Sequence, residues 1–207
     1  MGEDPASDEE PRLDVVLDGI WRLLNEGLRS RQHGFHCAGV ASVRPDGSPS
    51  VRTMVLRGVD VARRRLYFHT DVRSRKLGEV PVEPRVSILF YDPPEHTQLR
   101  VEAVASVHRG DRLADEHWQA IAPLARRCYL SAGPPGLPWG FATSGLPPEV
   151  EERAPTLEES ERGRLNFAVL QCEVRRFDWL YLSSIGNRRA GFRWEEGGRL
   201  RANWLIP

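Results

Sequence analysis

The sequence Leu66-Tyr67-Phe68-His69-Thr70-Asp71-Val72-Arg73-Ser74-Arg75-Lys76 joins an apolar strand pattern to a polar triplet, Ser74-Arg75-Lys76. Lys76 is the only lysine among 29 lysine and arginine residues. In a chain that uses arginine almost everywhere, a retained lysine favours a site that needs a compact ammonium. A strand leading into a short helix, with Ser or Asp at the cap and two cations in the first turn, suits a phosphate, because free amides and cations then face the anion. The segment therefore predicts a phosphate site.

The bulk composition excludes several classes of protein. With 207 residues the chain can bury a sizeable core, and its formal net charge of +0 gives no indication of a nucleic-acid partner. Three scattered cysteines without CxxC spacing indicate thiols in a reducing compartment. There is no signal-peptide pattern and no apolar run of about 18 residues. We therefore expect a cytoplasmic protein without a membrane or nucleic-acid partner.

Upstream and downstream of this segment the pattern is first helical and then alternating. Residues 1–11 are acidic and polar and predict a disordered tail, whereas apolar residues at three- and four-residue steps predict a helix over 13–28. Alternation bounded by turn residues then predicts five strands, at 37–43, 50–56, 66–70, 86–91 and 98–108.

The last part of the chain mixes helices, a long loop and further strands. Helices are predicted at 111–122 and 124–130, and the Pro-, Gly- and Glu-rich residues 133–163 predict a mobile excursion with a helical turn near 156–162. Strands resume at 165–174 and 179–182, and a closing hairpin pairs 192–194 with 200–204. Many short strands with one early helix favour a mainly β fold with flanking helices, a Greek-key barrel, in a single domain over 12–207.

Familiar catalytic and metal motifs are missing from the sequence. None of the six histidines forms HExxH or pairs closely with cysteine, and no serine stands in GxSxG. The sequence lacks GxGxxG and Walker patterns. We expect no metal and can name no catalytic side chain. What remains is a set of groups suited to a phosphate on neighbouring strands: Arg52, Arg75 and Lys76, with the hydroxyls of Thr70 and Ser74.

Five motifs in register resemble the pyridoxamine 5′-phosphate oxidase family. They are Arg52-Thr53-Met54-Val55-Leu56-Arg57, then Leu66-Tyr67-Phe68-His69-Thr70, Ser74-Arg75-Lys76, Glu83-Pro84-Arg85-Val86-Ser87-Ile88-Leu89-Phe90 and Gln98-Leu99-Arg100-Val101. The match is strong over residues 34–107 and looser over 165–207. The resemblance implies a six-stranded FMN-binding split β-barrel, FMN as cofactor, and a homodimer with the flavin at its interface.

The resemblance also implies which residues contact the cofactor. Arg52 and Lys76 would hold the FMN phosphate, and the backbone of 53–56 would run beside the isoalloxazine. A late arginine near the flavin would stabilise its anionic reduced form. The implied contacts are Arg52, Thr53, Met54, Val55, Leu56, Arg57, His69, Thr70, Ser74, Arg75, Lys76, Gln98, Trp179 and Arg189.

The chain departs from the family where the oxidase clasps its substrate. The oxidase's R-x-H-D-R segment is replaced by Asn187-Arg188-Arg189-Ala190-Gly191-Phe192, which lacks histidine and aspartate, and its substrate-phosphate set matches only Trp118, Arg126 or Arg127, and Ser131. These departures argue against pyridoxamine phosphate as the substrate.

Four functions remain open from the sequence. The first is an FMN-dependent oxidoreductase acting on a small molecule, and the second is a genuine pyridoxamine/pyridoxine 5′-phosphate oxidase with a rearranged clamp. The third is a non-catalytic flavin-binding module. Heme binding is the last, because it needs a histidine ligand and only His69 and His96 are near the site.

Overall fold

Six antiparallel strands close into a barrel through pairing of β3 with β6. In the computed structural model, which describes residues 12–207, the strand order is β3-β2-β1-β4-β5-β6, and β7 and β8 extend the sheet from β6. The strands are β1 (Cys37–Val43), β2 (Pro49–Asp60), β3 (Arg65–Asp71), β4 (Arg85–Asp92), β5 (Thr97–His108), β6 (Phe167–Tyr181), β7 (Arg188–Trp194) and β8 (Leu200–Leu205). The predicted mainly β fold with a six-stranded barrel is confirmed. The tail predicted at 1–11 lies outside the described residues.

The helices flank this barrel. They are α1 (Leu13–Arg29), α2 (Lys76–Glu79), α3 (Arg112–Gln119), α4 (Pro123–Arg126), α5 (Pro148–Glu151) and α6 (Leu157–Glu161). Asp111, the predicted start of α3, is its N-cap and accepts a hydrogen bond from the amide of Ala114. Within residues 12–207, the helices are all too short or too polar to cross a membrane.

Alternation along the strands fills the barrel with apolar side chains, among them Phe68, Phe90 and Phe177, and Phe35 from the turn before β1 packs with them; all four are fully buried. Helix α1 packs its apolar stripe against this core, and Trp21 meets the Phe177 ring at 4.9 Å edge to face.

A second cluster lies outside the barrel and attaches α3 and the turn after α4. Trp118 and Tyr129 pack on Phe167 of β6, with ring centroids 5.2 Å from it in both cases. Tyr67 of β3 belongs to the same cluster. This packing fixes the helical segment 112–130 against β3 and β6.

The prediction of separate strands at 165–174 and 179–182 is wrong. Residues 167–181 form one strand of 15 residues. Its pairing with β5 shifts between Glu102 and Ala103, so that Arg175 has no opposite partner and forms a bulge. The charged pair Arg175-Arg176 interrupts the apolar pattern without interrupting the strand.

The predicted excursion is partly ordered by its own helices. The helical turn expected near 156–162 is confirmed as α6, where Thr156 and Glu159 form a capping box. The excursion is held to the preceding helices by Arg126. This guanidinium bonds Glu161 at 2.5 Å and the carbonyl of Trp118 at 2.8 Å, and it lies 4.6 Å from the centroid of the Trp118 ring.

Candidate functional site

A cavity of about 520 Å³ lies where the barrel meets the helical segment after β5. Its lining comes from two separate parts of the chain. The barrel and the start of α2 form one side, which consists of Thr53, Met54, Val55, Arg57, His69 and Lys76. The other side, which we call the helical wall, consists of His117, Ala120, Ile121, Ala122, Ala125, Cys128 and Tyr129. Every barrel residue of the lining is among the predicted cofactor contacts.

Strand alternation and one bulge bring the β2 residues to this cavity. Met54 and Leu56 belong to the barrel core, at 6% and 1% exposure, and of the two only Met54 lines the cavity. The pairing of β2 with β3 skips from Leu56 to Gly58. Arg57 is therefore the extra residue of a bulge, and its side chain lines the cavity.

Arg52 is fixed by four hydrogen bonds. It donates to the hydroxyls of Ser42 at 2.6 Å and Ser50 at 2.7 Å, to the carbonyl of Val40 at 3.2 Å and to Glu79 at 3.2 Å. The Glu79 carboxylate also accepts from Ser42 at 2.5 Å. Arg52 is thus rigidly placed next to α2.

Lys76 lies at the start of α2 and lines the cavity, and its ammonium donates to Ser74 at 2.9 Å. Burial, and next the nearby charge of Arg52, lower the pKa of Lys76. An anion placed beside both cations would relieve this repulsion.

The cap predicted for this helix is wrong. The N-cap residue is Arg75, no side chain caps the helix, and α2 has only four residues. So short a helix contributes little dipole, and the field on an anion comes mainly from the side-chain cations. Arg75 is exposed and lies outside the cavity lining.

Thr70 supplies an unused hydroxyl in a cavity that adjoins the one lined by Lys76. Its Oγ1 is buried without a hydrogen-bond partner. The residue lines a second cavity of about 560 Å³, which shares His69, Ala125, Cys128 and Tyr129 with the first. A buried hydroxyl without a partner is costly, and a ligand oxygen would satisfy it.

Two histidines meet at the edge of the first cavity. The Nε2 atom of His69 lies 3.0 Å from the Nδ1 atom of His117, with the rings nearly perpendicular at 89°. Burial, then the proximity of His117 and Arg57, lower the pKa of His69 to about 3. Burial also lowers the pKa of His117. Both rings are neutral near pH 7, and one hydrogen lies between them.

Three predicted contacts lie elsewhere. Gln98, Trp179 and Arg189 are grouped on neighbouring strands, because Gln98 pairs with Leu180 and Leu180 pairs with Arg189. None of the three lines either cavity. Arg189 bonds Asp178 at 2.8 and 2.9 Å, and Trp179 stacks on Tyr181 at 6.1 Å.

The helical wall was missed by sequence reasoning, because no local motif marks it. Its position depends on the packing of Trp118 and Tyr129 against Phe167, a contact between distant parts of the chain. Of the residues matched to a substrate-phosphate set, Arg127 and Ser131 line the second cavity, whereas Arg126 is 4% exposed and turned toward Glu161.

Comparison with known proteins agrees with this architecture. Residues 19–109 match the sequence model of the pyridoxamine 5′-phosphate oxidase FMN-binding domain. A pyridoxine/pyridoxamine 5′-phosphate oxidase of Rubrobacter xylanophilus is 32% identical over 149 residues, covering 69% of this chain and 62% of the relative. One from Gluconobacter oxydans is 35% identical over 122 residues, covering 56% and 58%. The matches thus span about three fifths of these relatives.

Solved structures show the same fold. A pyridoxamine 5′-phosphate oxidase-related, FMN-binding protein from Nostoc punctiforme has a TM-score of 0.72 at 22% identity, covering 92% of this chain and 96% of that one. PhzG from Burkholderia lata, in complex with tetrahydrophenazine-1-carboxylic acid, has a TM-score of 0.65 at 17% identity, covering 100% and 98%. Fold and sequence together define an FMN-binding split barrel. Residues 19–109 thus match the pyridoxamine 5′-phosphate oxidase FMN-binding domain, and the relatives and solved structures named for this family support FMN as the cofactor.

The residues present suit FMN. A phosphate needs cations and hydroxyl donors, and the structure offers Lys76 near Arg52 and, in the adjoining cavity, the unpartnered Thr70 hydroxyl. The β2 backbone at Thr53, Met54 and Val55 lines the same cavity.

Proposed function

We propose that this protein is an FMN-dependent oxidoreductase that acts on a small molecule. The observations that carry the proposal are the neighbouring cations Lys76 and Arg52, of which Lys76 lines a cavity formed in part by β2, and the unpartnered Thr70 hydroxyl, which lines the adjoining cavity. In this proposal Lys76 and Arg52 hold the FMN phosphate, and Thr70 donates to it. When bound, FMN supplies a two-electron acceptor.

The proposal includes a homodimer. Gln98, Trp179 and Arg189 are the contacts implied for the flavin ring, yet they lie outside the cavity that Lys76 lines. A two-fold partner that brings its own trio to this cavity would complete the site. Both cavities would then hold cofactor and substrate at an interface between copies.

A second candidate is a genuine pyridoxine/pyridoxamine 5′-phosphate oxidase. It is favoured by the names of the curated relatives at 32% and 35% identity. The residues Arg127 and Ser131, matched to the oxidase's substrate-phosphate set, line the second cavity and also favour it, whereas the absence of the histidine and aspartate of the oxidase's late motif speaks against it. Hydrogen peroxide production from pyridoxamine 5′-phosphate by the FMN-loaded protein would support this candidate.

The test of the proposed function begins with the visible spectrum of purified protein titrated with FMN. We expect two flavin bands and a quench of FMN fluorescence that saturates with the protein. Lys76→Ala should weaken this binding about 10- to 100-fold, whereas Arg85→Ala, which removes an exposed cation paired with Glu83, should leave it unchanged.

The second step measures turnover. Bound FMN should be reduced anaerobically by a nicotinamide or small organic donor and reoxidised by oxygen. A protein that takes up no FMN contradicts the proposal. A protein that binds FMN but is not reduced by any donor is a flavin-binding module.

A further inference from the structure

The second cavity is closed on one side by the excursion, residues 133–163. Its other sides come from the end of β3 and from α4 with the residues that follow it. The excursion contributes three lining side chains, those of Pro135, Ser144 and Leu146. The loop that carries the first two is closed at its base, where the amide of Ala132 donates to the carbonyl of Gly145 at 2.9 Å. A ligand in this cavity would therefore contact the excursion as well as the barrel.

The lining of the second cavity contains one positive and one negative side chain, Arg127 and Asp71. Both oxygens of the Asp71 carboxylate already accept hydrogen bonds from Arg73, at 2.9 and 2.7 Å. The His69 ring, which also lines the cavity, is neutral near pH 7, because burial above all lowers its pKa to about 3. An anionic group in this cavity would thus find a positive charge in Arg127.

The guanidinium of Arg127 is held by one of its three nitrogens. Its Nη1 atom donates to backbone carbonyls at the end of α5 and beyond, those of Glu151 at 3.1 Å, Arg153 at 3.3 Å and Val150 at 3.5 Å. The last carbonyls of a helix have no partner within it, so an arginine is a suitable donor to them. Within residues 12–207, the Nε and Nη2 atoms of Arg127 make no hydrogen bond. These two atoms form the edge that binds both oxygens of a carboxylate or phosphate side by side.

The carbonyls that hold Arg127 belong to the part of the excursion that fixes Ser144. The side chain of Glu151 accepts a hydrogen bond from the Ser144 hydroxyl at 2.6 Å, while its backbone carbonyl accepts from Arg127. Arg127 is thus connected through Glu151 to a wall of the cavity that it lines. An oxyanion on Nε and Nη2 would hold the guanidinium in place, and it would therefore also stabilise the contacts of Nη1 with the excursion.

We propose that the second cavity binds a small molecule through a carboxylate or phosphate on Arg127, and that this ligand and the excursion stabilise each other. The apolar part of the ligand lies against Leu124, Pro135 and Leu146. Coupling of this kind is reciprocal: the factor by which the ligand stabilises the closed excursion is the factor by which closure strengthens ligand binding. Lys76 and Arg52 take no part in this site, and the coupling does not depend on FMN.

The test follows cleavage by chymotrypsin after Trp139 and Phe141, which lie in the excursion and are 55% and 72% exposed. Benzoate and phenyl phosphate are compared with the neutral benzyl alcohol at equal ionic strength, up to about 10 mM, which detects millimolar dissociation constants. We expect at least one anion to slow cleavage about fivefold or more, whereas benzyl alcohol leaves it unchanged. Protection by benzoate alone identifies a carboxylate ligand, and protection by phenyl phosphate alone identifies a phosphate. If neither anion protects, or if benzyl alcohol protects equally, the proposal is overturned.

The size of the protection can be checked against the affinity. The dissociation constant of the protective anion is measured by isothermal titration calorimetry on the same protein. If the anion leaves whenever the excursion opens, cleavage slows by the factor 1 + [ligand]/Kd. An anion that binds without slowing cleavage by this factor is bound away from the excursion, and this result also overturns the proposal.

Arg127→Lys separates the two edges of the guanidinium. A lysine ammonium can donate to the α5 carbonyls but has no second edge for an oxyanion. We expect protection, relative to the variant's own rate without ligand, to fall below about twofold. Arg57→Gln removes the cation that lines the first cavity, and it should keep the protection. Full protection in Arg127→Lys, or its loss in Arg57→Gln, overturns the assignment of the anion to Arg127.

A comparison with and without the cofactor separates this site from the one at Lys76. Cleavage is measured in the FMN-saturated wild type and in flavin-free Lys76→Ala. We expect the anion to protect the excursion equally in both. Protection seen only in flavin-free protein with Lys76 intact would place the anion at Lys76 and overturn the proposal. A protein that takes up no FMN but shows full protection refutes the proposed function and leaves the coupling through Arg127 standing.

Discussion

The Nη2 atom of Arg52 lies 3.2 Å from the Oε2 atom of Glu79, and this ion pair joins β2 to the short helix that begins with Lys76. The Glu79 side chain is 7% exposed. Its charge offsets the repulsion between Arg52 and Lys76, since Arg52 lowers the pKa of Lys76 and Glu79 raises it. The two cations can therefore stay close before an anion arrives.

Glu79→Gln should consequently destabilise the flavin-free protein. Removing one partner of a largely buried pair leaves Arg52 and Lys76 in unrelieved repulsion, and we expect a loss of about 1–3 kcal/mol in the free energy of unfolding. FMN should restore part of this lost free energy. In urea unfolding, FMN should therefore stabilise Glu79→Gln more than it stabilises the wild type. Glu83→Gln, at the exposed pair with Arg85, is the control. An unchanged unfolding free energy for Glu79→Gln would contradict this role.

Lys76 should not be replaceable by arginine. Loss of a charge-assisted hydrogen bond costs about 1.5–3 kcal/mol, so Lys76→Ala should weaken FMN binding about 10- to 100-fold. Lys76→Arg keeps the charge but places a larger planar group beside Arg52 and Ser74, and it should recover less than half of the lost binding free energy. Fluorescence titration measures both. Full recovery by arginine would mean that the lone lysine reflects no steric demand.

The buried histidine should make stability depend on pH. Burial lowers the pKa of His69 to about 3, whereas an unfolded histidine takes up a proton below pH about 6.5. The unfolded state binds more protons between these values, so the free energy of unfolding falls as the pH drops through this window. Glutamine does not take up a proton in this range. Between pH 6.5 and 4.5 the free energy of unfolding of His69→Gln should therefore fall by about 2 kcal/mol less than that of the wild type. Urea unfolding at both pH values measures the difference, and equal losses would contradict it.

Arg126 should anchor the excursion. Arg126→Met removes the ion pair with Glu161 and the bond to the Trp118 carbonyl, so that Glu161 keeps only the hydrogen bonds from the Trp118 indole, at an expected cost of about 2–4 kcal/mol. Limited proteolysis should cut within 133–163 faster in this variant than in the wild type. Arg162→Ala, which removes an exposed ion pair with Glu149 at 3.5 Å inside the excursion, is the control and should change the cleavage rate much less. Unaltered proteolysis of Arg126→Met would show that other contacts hold the segment.

Mixed dimers should show whether the partner completes the site. Lys76→Ala and Arg189→Ala chains each damage both sites of a homodimer if the two residues act across the interface. Co-expressed with different tags and purified as heterodimers, they would restore one intact site of two, with FMN at half stoichiometry. Sites built within one chain would stay damaged in the heterodimer, and the flavin content would not recover.

The sequence predicted the strands well because their signals are local. The bounds of β1 are reproduced residue for residue, and β5 differs by one residue. The cavity residues Arg57, His69 and Lys76 were predicted from motifs on or directly after β2 and β3. The prediction that β6 is two strands was wrong because the charged pair Arg175-Arg176 resembles a strand end. In the structure the strand continues through this pair, with Arg175 as the extra residue of a bulge.

The helical wall could not be read from local patterns. His117, Cys128 and Tyr129 reach the cavity because Trp118 and Phe167, 49 positions apart in sequence, pack together. The predicted cap of α2 was also wrong. The Ser74 hydroxyl accepts a hydrogen bond from the Lys76 ammonium and does not cap the helix. The ion pair between Arg126 and Glu161 is likewise visible only in the folded structure.

The separate origins of the two cavity sides have a consequence for how such proteins diversify. The barrel side is tied to closure of the β-sheet, so changes there endanger the whole molecule. The helical wall rests on the barrel through a few aromatic side chains, and its small residues can be exchanged without disturbing strand pairing. Mutations that retune which molecules are accepted should therefore accumulate in residues 117–129, and libraries for redesign are best confined to that segment.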